Sequence, residues 1–161
     1  MRHTTLDTVL REQLVKLLAW GDAHARHEKA VNNVPAEYRA KVPEGLPYSP
    51  WMVVDHLTRT QFDILDFCRN PDYTQPPWPD DYWPPTAEPP SATAWDESIA
   101  RFRTDRAALQ QLAADPSVDL TATIPWGNGQ TYLREIVLAA DHAAYHVGEL
   151  IVIRRLLGIW P

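Results

Sequence analysis

The chain has 161 residues, 45 % of them hydrophobic and 22 % charged, which is the balance of a soluble globular protein and suits one domain over residues 1–161 with a single core. Its net charge of −6 gives no electrostatic support to nucleic-acid binding. The single cysteine, Cys68, excludes an intrachain disulfide framework and a cysteine-based zinc site, and fits a reducing compartment.

The N-terminal run Met1-Arg2-His3-Thr4-Thr5-Leu6 lacks the apolar core of a signal peptide. A first helix is predicted over residues 5–31, where Leu6, Leu10, Leu14, Leu17, Trp20, His24 and Glu28 recur at spacings of three and four. A second is predicted over 49–69. Ser49 suits its N-cap and Pro50 its first turn. Val53, Val54, Leu57, Ile64, Leu65 and Cys68 form its apolar arc, and Pro71 ends it.

Residues 71–93 carry eight of the fifteen prolines together with Tyr73, Trp78, Tyr82 and Trp83, and show no helix or strand period. A connection this long is functional or a linker, and its aromatics need a surface to pack on. It is expected to cover apolar helix surface or to contribute to substrate selection. A third helix is predicted over 93–114, stopped by Asp115-Pro116. A short strand or turn is predicted near Trp126-Gly127-Asn128-Gly129. The fourth helix starts near Thr131, an N-cap residue type, and ends near Gly158. Asp141, His142, His146 and Glu149 interrupt its apolar run, so no membrane span is expected. The predicted fold is all-α, a four-helix bundle with a long Pro- and Trp-rich crossover between the second and third helices.

The fourth helix holds the most pointed chemistry in the chain. His142 and His146 lie one turn apart, about 40° around the helix from each other, so both imidazoles can reach one metal ion. They are interleaved with Leu138, Ile153 and Leu156. The opposite side, with Val137, Ala140, Ala144, Val147 and Ile151, is apolar as well. A helix apolar on both sides is buried on both, one side against the bundle and the other against a second subunit. The plainer alternative is a partly solvated stripe that the two histidines share with Glu135 and Glu149.

A third ligand has few sources. His24 is centred in the stripe of the first helix, His27 lies at the margin of that stripe, His56 sits at the edge of the second helix's apolar arc, and His3 is near a terminus. Several imidazoles buried together are costly without a partner, and a divalent cation that binds them in neutral form removes that cost. From the residues alone, His24 points at the core more directly than His56 does.

Trp51-x-x-x-Asp55-His56-Leu57 at the start of the second helix, and Asp141-His142-x-x-Tyr145-His146-x-Gly148-Glu149 in the fourth, resemble the DinB-like (DinB/YfiT-like) metalloenzyme superfamily. The likeness extends over most of the chain, from Pro47-Tyr48-Ser49-Pro50-Trp51 to Leu157-Gly158-Ile159-Trp160. It implies a four-helix bundle, often homodimeric, with a divalent metal held by His56, His142 and His146. Family members with known activity include transferases of low-molecular-weight thiols and a mycothiol-dependent maleylpyruvate isomerase. This chain has Glu149 where the family often has Gln, which adds a carboxylate that can orient a ligand or act as a base. His24 stands outside the three-histidine motif, as a candidate fourth ligand or proton shuttle.

A three-histidine site with an open position is the catalytic arrangement of zinc. It admits Zn or Ni first, and Fe or Mn as well. It can supply thiolate to an electrophile or hydroxide to a carbonyl near neutral pH. The expectation is a cytoplasmic, homodimeric, metal-dependent transferase of a low-molecular-weight thiol acting on a small-molecule substrate, with no nucleic-acid or membrane partner. The alternatives are a hydrolase on the same site and a non-catalytic, metal-stabilised binding protein. Trp20, Trp51 and Tyr145 are candidates for the wall of its pocket.

Overall fold

The computed structural model describes residues 5–161; the reading of the N-terminal run, His3 included, lies outside them. Among the described residues five α-helices follow one another: α1 (Leu6–Leu17), α2 (His27–Val31), α3 (Pro50–Arg69), α4 (Ala94–Ala114) and α5 (Tyr132–Leu156). A short 3-10 turn, Ala36–Tyr38, lies between α2 and α3. No strand occurs among the described residues; the turn region contributes only an isolated antiparallel bridge between Thr123 and Thr131. Of the strand or turn expected there, the turn forms, closed by Ile124 N donating to Gln130 O at 2.8 Å and by Gly129 at φ 99°, where a side chain would be strained.

Local chemistry sets the ends of the long helices. Ser49 caps α3 by accepting from Met52 N, with Pro50 in the first turn. Thr131 caps α5 by accepting from Arg134 N, and Gly158 ends it at φ 72°. The capping role at α4 falls to Ser91, whose hydroxyl accepts from Ala94 N at 3.1 Å.

The predicted helix 5–31 is two helices. The chain leaves the helix at Leu18 and re-enters at His27. Gly21 and Asp22 stand in that gap, and both are poor helix formers. A Cβ at Gly21 would collide with the Arg26 side chain folded across it, so the break is built around the missing side chain.

Helix α3 is the centre of the packing, lying along both α4 and α5, while α1 rests on α4 and α5 and α2 on α5. One core cluster joins Val53, Val54 and Leu57 of α3 to Trp95 and Phe102 of α4 and Val147, Leu150 and Ile153 of α5. A second joins Leu14, Ile64, Leu65, Leu109, Ile136 and Ala139. Truncating one of the buried leucines or isoleucines of these clusters to Ala costs about 2–5 kcal/mol. Helices α3 and α4 are also locked by buried polar contacts: Thr58 Oγ1 donates to Ser98 O at 3.1 Å and Gln61 Nε2 to Phe102 O at 2.6 Å.

By length and composition α5 is apolar enough to cross a membrane, yet it buries Glu135, His146 and Arg154 within the protein, as a core helix does. Arg154 ties three segments together. Its Nη1 donates to the carbonyls of Lys29, Ala30 and Asn32 at 3.1, 2.6 and 3.0 Å, and its Nη2 to Ile159 O at 3.2 Å. It thereby satisfies carbonyls at the end of α2 that have no helical partner.

Candidate metal centre

Residues 135, 139, 146, 150 and 153 mark the buried side of α5, and half-buried His142 lies at its edge. Glu135 is 2 % exposed and His146 6 %, so the stripe these residues share with His142 and Glu149 is open to solvent only at the latter two, which are half-buried. His56 reaches the same place from the first half of α3, where it is 2 % exposed. One ring nitrogen from each of the three histidines lies within 4.8 Å of the others. Ring centroids are 5.0 Å apart for His56 and His142, 4.6 Å for His56 and His146, and 4.5 Å for His142 and His146.

Outer contacts decide which nitrogen faces inward. His56 Nδ1 donates to the carbonyl oxygen of Tyr82 at 2.8 Å. A carbonyl only accepts, so Nδ1 carries the proton and Nε2 presents a lone pair. That Nε2 stands 3.1 Å from His142 Nε2. His146 Nδ1 donates to Glu149 Oε2 at 2.7 Å, which fixes its Nε2 in the same way. A carbonyl or carboxylate on the far nitrogen is the arrangement that orients metal-binding histidines and raises their basicity. The donor set, three imidazoles of which two have the far nitrogen already bonded, fits a divalent ion of the Zn or Ni type.

His56 and His142 are poor bases in this setting. Burial, followed by the neighbouring His146 and opposed by the Tyr82 carbonyl, pushes His56 down to about 4. Burial, then His146 and His56, pushes His142 down to about 3. Neutral imidazole at physiological pH is the form that ligates metal.

The wall beside His56 comes from the crossover. Trp83 stacks on the His56 ring, centroids 3.8 Å apart and planes 3° apart, and Tyr48 stacks on Trp83 at 4.2 Å. These contacts were not legible in the sequence, although the need of the crossover aromatics for a packing surface pointed toward them. Tyr145 meets the edge of His146 at 4.8 Å and is 69 % exposed. Trp51 is core, and it borders a groove of about 620 Å³ between α3, α4 and the crossover. Trp20 lines a separate cavity of about 250 Å³ with Leu17, His27 and Phe102.

His24 is a correction. It was expected on a continuous helix, pointing into the core. It lies instead in the exposed connection between α1 and α2, with Nδ1 3.0 Å from Ala25 O, and it is not part of the three-histidine cluster. The histidine of that region that is buried is His27, which stacks on Phe102 at 4.1 Å. Neither of the neighbouring aspartates joins the cluster: Asp55 pairs with Arg59 at 2.5 Å and Asp141 is exposed.

No curated protein and no solved structure matches the chain. Residues 19–150 match the DinB superfamily. That span contains all three clustered histidines and covers most of the sequence, and the chain belongs to the DinB superfamily.

Proposed function

We propose that this protein is a divalent-metal enzyme that transfers a low-molecular-weight thiol to a small electrophile, with His56, His142 and His146 as the metal ligands. In this reading α1, α3, α4 and α5 form a four-helix bundle making up one domain, and the protein works in the cytoplasm. The observation that carries it is the convergence of three imidazoles on one point with two tautomers preset. Bound there, a divalent ion lowers the pKa of a thiol so that thiolate exists near neutral pH.

The residues supply the rest. Glu149 and the Tyr82 carbonyl hold the rings, and Trp83 shields the His56 side. Substrate then approaches from the side of half-buried His142 and exposed Tyr145. In the transfer, sulfur forms a bond to the electrophilic carbon, the leaving group departs with its bonding pair, and the thiol proton goes to solvent.

A second copy of the chain is the proposed partner. Val137, Val152 and Leu156 are exposed along one side of α5, with Gly148 among them and open space at its missing Cβ. Light scattering at micromolar concentration is expected to give twice the chain mass; a monomer contradicts this part.

The test of the activity is a screen of metal-loaded protein with several low-molecular-weight thiols and electrophiles. Turnover that needs both metal and thiol supports the transferase. Thiol-independent hydrolysis replaces it with the hydrolase. Background rates throughout leave a non-catalytic metal-stabilised protein.

A further inference from the structure

The face of α3 that carries His56 is also the face along which the crossover runs. Ser49, His56, Arg59 and Asp63 follow one another at spacings of seven, three and four, which places them on one side of the helix. Each holds the crossover. Ser49 Oγ donates to Ala87 O at 2.7 Å, and Arg59 Nη1 to Asp81 O at 3.2 Å. Asp63 accepts from Tyr82 Oη and from Tyr73 Oη, both at 2.8 Å. His56 sits in the middle of this row, bonded to the Tyr82 carbonyl and covered by Trp83.

Tyr82 is therefore held at two points. Its side chain is fixed to Asp63, two turns along α3 from His56, and its backbone fixes His56 itself. The side chain is buried, and its hydroxyl bond to a carboxylate is of the stronger, charge-assisted kind. The next residue supplies the indole that fixes the plane of the ring. Residues 71–93 thus have a role distinct from a movable lid or a passive cover.

We propose that the crossover is a brace for the metal centre, in which Tyr82 and Trp83, anchored through Asp63, are positioning residues for His56. Tyr82 sets the tautomer of the ring and Trp83 its plane, so that Nε2 is aimed at the ion before the ion arrives. This inference rests on the metal reading of the three histidines.

The test is the affinity of the full-length, metal-stripped protein for Co²⁺ and Zn²⁺, read from the Co²⁺ visible spectrum and by calorimetry, in the wild type and in Tyr82→Phe, Tyr73→Phe, Trp83→Phe, Trp83→Ala and His142→Ala. Tyr82→Phe and Tyr73→Phe each remove one hydrogen bond to Asp63, but only Tyr82 touches His56. Tyr82→Phe is expected to weaken binding by about tenfold, the usual consequence of removing a contact that orients a ligand, and to shift the Co²⁺ bands. Tyr73→Phe is expected to bind as the wild type does. Trp83→Ala should weaken binding by a similar factor of about ten, and Trp83→Phe, which keeps a flat ring face, should restore it. If both tyrosine variants match the wild type, or both weaken binding equally, the brace is wrong. If the wild type binds metal and His142→Ala does not, the metal reading survives that failure; if the wild type binds none, both fall.

Discussion

His56 and His27 are two buried histidines in different settings. Burial is the main cause that pushes each down to about 4. His27 opens the short α2 and lies flat on Phe102, with Nδ1 buried and without a hydrogen-bond partner. His56 has one nitrogen bonded to a carbonyl and the other facing a second imidazole. A depressed pKa therefore registers depth first. What separates a ligand from a packed ring is where each nitrogen points and what holds it there.

The largest effect that can break this comparison is loss of metal. His56→Ala and His142→Ala are each expected to abolish stoichiometric Zn²⁺ binding in equilibrium dialysis, and His27→Phe to leave it intact. Retention by the first two, or loss in the third, would erase the distinction.

The His27 region is next. Arg154 holds the end of α2 to α5 through the carbonyls of Lys29, Ala30 and Asn32. Arg154→Met is expected to cost about 4 kcal/mol in urea unfolding, since it strands buried acceptors of charged hydrogen bonds. A loss within experimental error would show that α2 is held by packing alone.

Acid titration sharpens the contrast further. An unfolded imidazole takes its proton near 6.5 and folded His27 only near 4. Between those values the unfolded chain binds more protons, so stability falls as pH drops through that window and the contribution is complete above it. For His27 the loss amounts to about 3 kcal/mol. In metal-free protein, His27→Phe should show a shallower decline than the wild type between pH 6.5 and 4; parallel curves would mean that His27 stays neutral in both states or charges in both.

The smallest effect expected is at Glu149. Glu149→Gln keeps an acceptor for His146 Nδ1 but removes its charge, and metal affinity should fall by about tenfold, measured by competition with a chromophoric chelator. An unchanged affinity would make Glu149 a bystander.

Helices α3, α4 and α5 were legible because their signals are local. Ser49-Pro50, Thr131 and Gly158 mark ends within a few residues of the turns they control. The break after Leu18 was not, because the apolar period continues across it while the close approach of Arg26 to Gly21 overrides the pattern. That one error moved His24 into the core and left His27 at the margin. His142 and His146 could be read as a pair because one unbroken helix carries both. His56 was harder, since it sits at the edge of an apolar arc, and this edge is where α3, α5 and the crossover meet. The brace contacts join residues nineteen and twenty-six positions apart, and no periodicity reports such pairs.

The proposed activity requires the three imidazoles to be a metal centre. Elemental analysis of the purified full-length protein, before and after incubation with Zn²⁺ or Ni²⁺ and removal of excess ion, tests this most directly. The prediction is one divalent ion per chain, retained through gel filtration. A chain that holds no ion under either condition would contradict it.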